Sequence, residues 1–509
     1  MSRSEIPQTL LDLMAAAPGE QAAVVLPEAN LRVSYDSLRR QVERLAGVFA
    51  ASGIRPGDRV AMALPNGLPT IVSFLAASVA GTAAPLNPGY RQEEFEFYLD
   101  DTGAKALILP PDGAEEARRA AEVRGIEVWV AEPDTSGEVR LSAGAEGPAP
   151  APSAERTALV LHTSGSTGRP KRVPLTHFNL AVSARNIVET YALGPGDVAL
   201  CLMPLFHVHG LAASLLATFL SGGTVVVPAR FNPLSFWRTV RDHGVTWYSA
   251  APTIHQLILA RMGSGGERPA GAEGLRFIRS CSAALAPEIA QRMEDRIGAP
   301  VLQAYGMTEA SHQMASNPLP PAARRFGTVG PGTGVRISII DANGRHLETG
   351  ATGEVVIQGP NVIRGYENNA EANASSFSGG WFRTGDQGVL DEEGYLRLTG
   401  RIKELINRGG EKISPPEIDE VLLGHPAVAE AVAFGTPHPI WGEEVAAAVV
   451  LRSPAEESEL VKHCRDRLAD FKCPRKIHIV DSIPRTATGK IQRRVVAAAF
   501  SVTGAGGRE

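Results

Sequence analysis

A chain of 509 residues is longer than one compact core can hold, so two or more domains are expected. Its composition, 44% hydrophobic and 21% charged, is that of a soluble globular enzyme and excludes disordered and fibrous classes. The net charge of −5 is small for this length and gives no basis for general binding to nucleic acid or to an anionic membrane.

Near the start, the apolar stretch from Leu10 to Met14 is short and interrupted by Asp12, which argues against a signal peptide. Ser34 then caps a helix whose apolar face is Leu38, Val42, Leu45, Ala46 and Phe49, and Gly53 ends it. A strand over 59–64, a helix through Phe74 and Ala77, and a strand over 102–109 follow. This alternation predicts a parallel sheet covered by helices. Residues 133–155, rich in Pro, Gly, Ala and Ser, read as a loop or spacer, and no repeat of 20–50 residues is visible. Two long segments without formal charge, 60–90 and 198–229, are broken by prolines and glycines. They read as buried interior and not as membrane spans.

The apolar residues 158–161 predict a buried strand that runs into 163–171, Thr-Ser-Gly-Ser-Thr-Gly-Arg-Pro-Lys. Hydroxyls, glycines and one lysine in so short a space can close around a polyanion through backbone N–H groups. Clusters of this kind also make ordinary surface loops, so both readings stand at this point. The spacing is not that of a Walker loop: Arg169 and Pro170 precede Lys171, and Arg172 stands where a Ser or Thr would hold magnesium.

Strands over 200–204, 223–228 and 245–250 and helices over 211–220 and 234–243 extend the series. From 336 the texture changes to hairpins, with turns at Asp341-Ala-Asn-Gly and Asp391-Glu-Glu-Gly. A charged junction, Gly400-Arg-Ile-Lys-Glu, follows. Ser414, two prolines and Glu417 then open a helix, with Ser414 as the expected N-cap. The rest mixes strands (429–434, 445–451, 477–480) with a helix (457–468), enough for a small α+β domain. Cys201, Cys281, Cys464 and Cys473 show neither a CxxC pair nor histidines at zinc spacing, and read as reduced thiols of a cytoplasmic protein.

Five motifs occur in order: 163–171, Gln-Ala-Tyr-Gly-Met-Thr-Glu at 303–309, Trp-Phe-Arg-Thr-Gly-Asp at 381–386, Gly-Arg-Ile-Lys at 400–403, and Pro-Arg-Thr-Ala-Thr-Gly-Lys at 484–490. Together they resemble the adenylate-forming superfamily of acyl-CoA synthetases, peptide-synthetase adenylation domains and luciferases, over essentially the whole chain. Pro-Leu-Phe-His-Val-His-Gly at 204–210, Ser-Cys-Ser-Ala at 280–283, Met-Thr-Glu-Ala-Ser-His at 307–312 and residues 401–415 are similar to the oxalate–CoA ligases. Malonyl-CoA synthetases share the His-x-His-Gly element.

The resemblance implies an α/β fold: a large N-terminal domain (1–400) of parallel-sheet subdomains plus a β-rich one, and a small mobile α+β domain (401–509). It implies an AMP-forming ligase that takes ATP, Mg²⁺ and coenzyme A. A small carboxylate would be joined to ATP as an acyl-adenylate with loss of pyrophosphate and then passed to CoA. By the same resemblance Thr163, Ser164, Gly165, Ser166, Thr167, Gly168 and Lys171 hold the phosphates. Thr308 binds a phosphate oxygen and Glu309 holds Mg²⁺, while Ala304, Tyr305 and Gly306 lie at the adenine. Asp386 and Arg401 take the ribose, Gly409 and Gly410 line the pantetheine path, Lys403 is the hinge and Lys490 is catalytic. Without the resemblance, Lys490 reads as part of a solvated basic face with Lys472, Arg475, Lys476, Arg493 and Arg494. His207, His209, Ser282 and His312 are the candidates for the acid pocket, with oxalate expected and malonate or another short acid the alternative. A luciferase-like monooxygenase shares the scaffold. A peptide-synthetase module is not expected, because no carrier arm site with its glycines precedes Ser482.

Overall fold

The computed structural model describes residues 7–15, 17–163, 170–262, 267–486 and 490–501. Helix Tyr35–Ala51 starts where the Ser34 hydroxyl accepts the Ser37 N–H, and the chain leaves it through Gly53 at φ +93°. Helix Leu68–Ala80 is apolar on every side, so it must be buried on every side, and it is. These helices and His177–Tyr191 are packed between two large sheets and share one apolar core with them, including Phe49, Phe74, Leu159, Leu180 and Leu302.

The first sheet has eight strands, in the spatial order His312–Ser316, Val301–Met307, Phe277–Ser280, Trp247–Ala250, Val198–Cys201, Thr224–Val226, Ala22–Leu26 and Leu31–Ser34. Its inner strands are parallel, and the two edge strands return antiparallel. The second has seven, in the order Val139–Leu141, Glu127–Pro133, Ala104–Leu109, Arg59–Met62, Thr82–Pro85, Thr157–Thr163 and Lys171–Thr176. A third, antiparallel sheet is built on Arg336–Ile340, Gly353–Gln358 and Trp381–Leu390, with the expected turns at 341–344 and 391–394. The C-terminal body has its own five-stranded sheet and its own core of Ile406, Leu422, Val449 and Leu460. The class is therefore mixed α/β, with a large N-terminal domain and a separate smaller one.

Four local expectations change. Thr102 closes a helix, Gln92–Thr102, and the strand starts at Ala104. The spacer over 133–155 contains the edge strand Val139–Leu141, held by Glu127–Pro133. The predicted helix over 211–220 begins as a π-helix, His209–Leu216, seated so tightly that a Cβ on Gly210 would lie 2.4 Å from the Pro204 carbonyl oxygen. Ser414 precedes helix Pro415–Leu423 but does not cap it, because its hydroxyl donates to the Thr399 carbonyl instead. Arg172, unexplained by the loop motif, pairs with Asp101 at 3.3 Å and lies 3.9 Å from Glu367, which also holds Arg59 at 2.8 Å.

Several histidines are buried uncharged. His177 binds the Ser78 carbonyl (2.9 Å) and accepts from the Leu10 N–H (3.2 Å), and burial pushes it down to about 4 from 6.5. Burial pushes His255 to about 3. Both folded values lie below the unfolded one, so the unfolded chain takes up protons first and stability is lost as the pH falls. The urea midpoint is expected to hold above about pH 6.5 and to fall steadily towards pH 4; a midpoint unchanged down to about pH 5 contradicts this.

Candidate active site

In a sheet of parallel strands the side chains that follow the carboxyl ends gather in one crevice. Thr163 ends Thr157–Thr163, and Ser282 lies two residues beyond Phe277–Ser280. Thr308 and Glu309 follow Val301–Met307, and His207 and His209 follow Val198–Cys201. Ser164, Gly165, Ser166, Thr167 and Gly168 lie outside the described residues.

The 308–312 turn is the tightest feature. Its single 3₁₀ turn, Thr308–Ala310, is followed by Ser311 at φ +52° and His312 at φ +110°, both unfavourable for side-chain-bearing residues. Hydrogen bonds hold it there. Ser183 donates to the Ser311 carbonyl (2.7 Å), Ser311 to the Asn361 carbonyl (2.9 Å), and Asn361 Nδ2 to the Ala310 carbonyl (2.8 Å). Gly306 must lack a side chain, since a Cβ would meet the His312 carbonyl oxygen at 2.2 Å.

Glu309 is 6% exposed, and its carboxylate accepts from the Tyr366 hydroxyl at 2.8 Å and the Thr163 hydroxyl at 3.5 Å. Lys171 lies over the Tyr366 ring, 4.6 Å from its centre. Burial depresses Lys171, Glu309 opposes that shift, and Lys403 adds to it. Lys403 sits in the 3₁₀ turn Ile402–Glu404 directly after Leu396–Arg401. Asp386 pairs across the hairpin with Arg401, whose Nε is 2.8 Å from Oδ1, and also receives the Tyr305 hydroxyl. Tyr305 extends from the strand that also carries Ala304 and Gly306.

His209 has no exposed surface, and both ring nitrogens are engaged, Nδ1 with the Ser282 hydroxyl (2.8 Å) and Nε2 with the Ser249 hydroxyl (2.6 Å). Both of its ring nitrogens are thus occupied by serine hydroxyls. His312 stacks on it with ring centres 4.9 Å apart and keeps a buried Nε2 without a protein partner among the described residues. Such an orphan needs a ligand or water to satisfy it. His207 Nδ1 accepts the His209 N–H at 3.2 Å, which leaves its proton on Nε2. Burial and then the nearby Lys490 charge push His207 down to about 4.

Lys490 reaches this crevice from the C-terminal body. Its own backbone N–H donates to the Thr486 hydroxyl (3.1 Å), and the Thr486 N–H to the Lys490 carbonyl (2.8 Å). Water reaches the side chain, but surrounding protein and the Arg401 guanidinium pull its ammonium below the ordinary lysine value against the opposing pull of Asp386 and Glu404. Gly409 and Gly410 form the turn between Ile406–Arg408 and Glu411–Ile413, at φ +60° and +97°, with Gly409 packed on Trp441.

Sequence reasoning missed Tyr366, which carries no motif signal, and Arg279, a charge set in the apolar strand Phe277–Ser280 that a search for isolated charges in buried strands would have found.

The chain belongs to the AMP-binding enzyme family: residues 12–367 match that family and residues 417–490 the AMP-binding enzyme C-terminal domain. It is an AMP-forming acid–CoA ligase, a class that works with ATP, Mg²⁺ and CoA. It is 49% identical to the probable CoA ligase CCL9 of Humulus lupulus (96% of this chain, 95% of that one). With the oxalate–CoA ligase of Arabidopsis thaliana the identity is 46% (95% and 96%). It matches ATP-bound MatB from Rhodopseudomonas palustris with a TM-score of 0.89 at 29% identity (97% and 99%), and the apo form of that protein with 0.79. Among the described residues no helix is long and apolar enough to cross a membrane.

Gly306→Ala tests the turn. It is expected to destabilise the protein by about 1–3 kcal/mol and to lower turnover at least about tenfold; unchanged unfolding and kinetics would contradict the close approach.

Proposed function

We propose that the chain joins oxalate to CoA: oxalate, ATP and CoA are converted to oxalyl-CoA, AMP and pyrophosphate. The observation that carries the acid assignment is the buried His312 Nε2, without a protein partner among the described residues, together with a Ser282 hydroxyl engaged by the His209 ring on which His312 stacks. A pocket walled by hydrogen-bonding groups suits a small acid with a second carboxylate, and leaves those groups unpaired when that carboxylate is missing.

One oxygen of the reacting carboxylate attacks the α-phosphorus of ATP, and the bond to the pyrophosphate oxygen breaks. Positioning and charge stabilisation carry such a step. Lys490, held near Arg401 and Asp386, bridges the carboxylate and the α-phosphate. Residues 163–168 with Lys171 grip the departing pyrophosphate. Thr308 binds a phosphate oxygen, Tyr305 lies against adenine with Ala304 and Gly306, and Asp386 and Arg401 take the ribose hydroxyls.

Glu309 fits a hard cation, since its buried carboxylate has only hydroxyl partners and no Lys or Arg within ion-pair distance among the described residues. A Mg²⁺ held there would supply charge neutralisation to the phosphates.

In the second step the CoA thiol sulfur attacks the acyl carbon and AMP leaves. Gly409 and Gly410 line the pantetheine path in that step. We place the boundary between the two domains at 400/401 and the hinge at Lys403.

The deciding measurement is kcat/KM for oxalate, malonate, acetate and a medium-chain fatty acid. Oxalate is expected to exceed each of the others by at least about tenfold, and equal or better turnover of malonate overturns the assignment. His312→Ala is expected to cost more than about tenfold with oxalate, a loss of about 1.4 kcal/mol in transition-state stabilisation. Lys490→Ala should abolish oxalate-dependent pyrophosphate release while ATP still binds; retained release would remove Lys490 from the first step.

A further inference from the structure

Arg279 lies in the strand Phe277–Ser280 with no exposed surface. Buried guanidinium groups are ordinarily matched by a carboxylate. Here the partners are neutral. Nε donates to the Tyr191 hydroxyl (2.9 Å), Nη2 to Gln313 Oε1 (3.0 Å), and Nη1 to the Ser249 hydroxyl oxygen (2.9 Å). Nη1 is also 3.4 Å from His209 Nε2.

Every guanidinium nitrogen donates and none accepts, which gives this cluster a direction. Ser249 accepts from Arg279, so its own proton is available to the acceptor 2.6 Å away, His209 Nε2. A proton on Nε2 would instead face the guanidinium N–H groups. The lone pair therefore sits on Nε2 and the proton on Nδ1. His209 Nδ1–H then donates to Ser282 Oγ at 2.8 Å. Ser282, half-buried at φ +76° and already accepting, keeps its own O–H free of that contact and able to donate.

We infer that Arg279 is a positioning residue that acts through Ser249 to fix the tautomer of His209, and thereby makes Ser282 a hydrogen-bond donor to the acid. The last link rests on the acid pocket proposed above; the tautomer itself does not. The charged and titratable groups around His209 are Arg279, His207, His255 and the stacked His312, and none is a carboxylate. A tautomer fixed in this way holds over a wide pH range, because burial first and then Arg279 keep the ring from protonating.

Nitrogen NMR of the whole protein labelled at histidine, with His209→Asn used only to assign the signal, is expected to find His209 neutral with its proton on Nδ1. A proton on Nε2 in the unsubstituted protein overturns the inference, whatever the variants do. Arg279→Gln is expected to mix the tautomers, to add an ionisation to the acid limb of the kcat/KM profile, and to lower kcat/KM for oxalate about tenfold or more. Arg279→Lys, which keeps the charge, is expected to retain the Nδ1 tautomer. An Arg279→Gln protein that is merely less stable, with an unchanged tautomer and pH profile, overturns the role. If the tautomer behaves as expected but oxalate is not turned over, the relay stands and the substrate assignment falls.

Discussion

The site depends on one reversal of the chain. Strand Val301–Met307 leaves the parallel sheet and returns as His312–Ser316 on its edge, with only Thr308–Ser311 between them. So short a return forces two consecutive residues to positive φ, a conformation that costs on the order of 1–3 kcal/mol each. Ser183 and Asn361 hold the turn from outside it. The result is that Glu309 and His312, three residues apart, face different neighbours from one short turn: Glu309 meets Tyr366 and Thr163, and His312 stacks on His209. Neither residue can shift without the other.

The two sides are built from different electrostatics. On the Glu309 side full charges gather: buried Asp386 paired with Arg401, buried Glu309 held by hydroxyls beside Lys171, and Lys490 arriving from another body. On the His312 side one fixed cation, Arg279, is solvated only by dipoles, and the imidazoles of His207, His209 and His312 are kept neutral by burial. Dipoles locked in this way by a buried hydrogen-bond network need no rearrangement when a charge arrives beside them.

Much of this was legible in the sequence, for physical reasons that differ by residue. The Ser34 cap and Gly53 stop are local chemistry and sit where the pattern put them. The β/α alternation and the hairpin turns at 341–344 and 391–394 are likewise local. Ser414 departs from the pattern because its side chain turns away from the helix N–H groups it would accept from and donates to the Thr399 carbonyl, a partner that no local rule contains. Tyr366 was invisible for the same reason, since its partner Glu309 is distant in the chain; Arg279 stands out as a charge in an apolar strand, but its neighbour His209 does not follow from that. His209 could be found from its motif, but its two serine partners, Ser249 and Ser282, could not.

The topology of the first sheet also constrains how the molecule comes into being. Ala22–Leu26 pairs with Thr224–Val226, Val24 lying opposite Val225, so an early apolar strand has its parallel neighbour some two hundred residues later. During synthesis at roughly 5–20 residues per second, that strand waits on the order of 10–40 s for its partner. Until then its hairpin with Leu31–Ser34 covers only the opposite edge, and the edge that Thr224–Val226 will take stays open. The hairpin is thus a border of the sheet from the start, while the inner edge of its first strand is closed later.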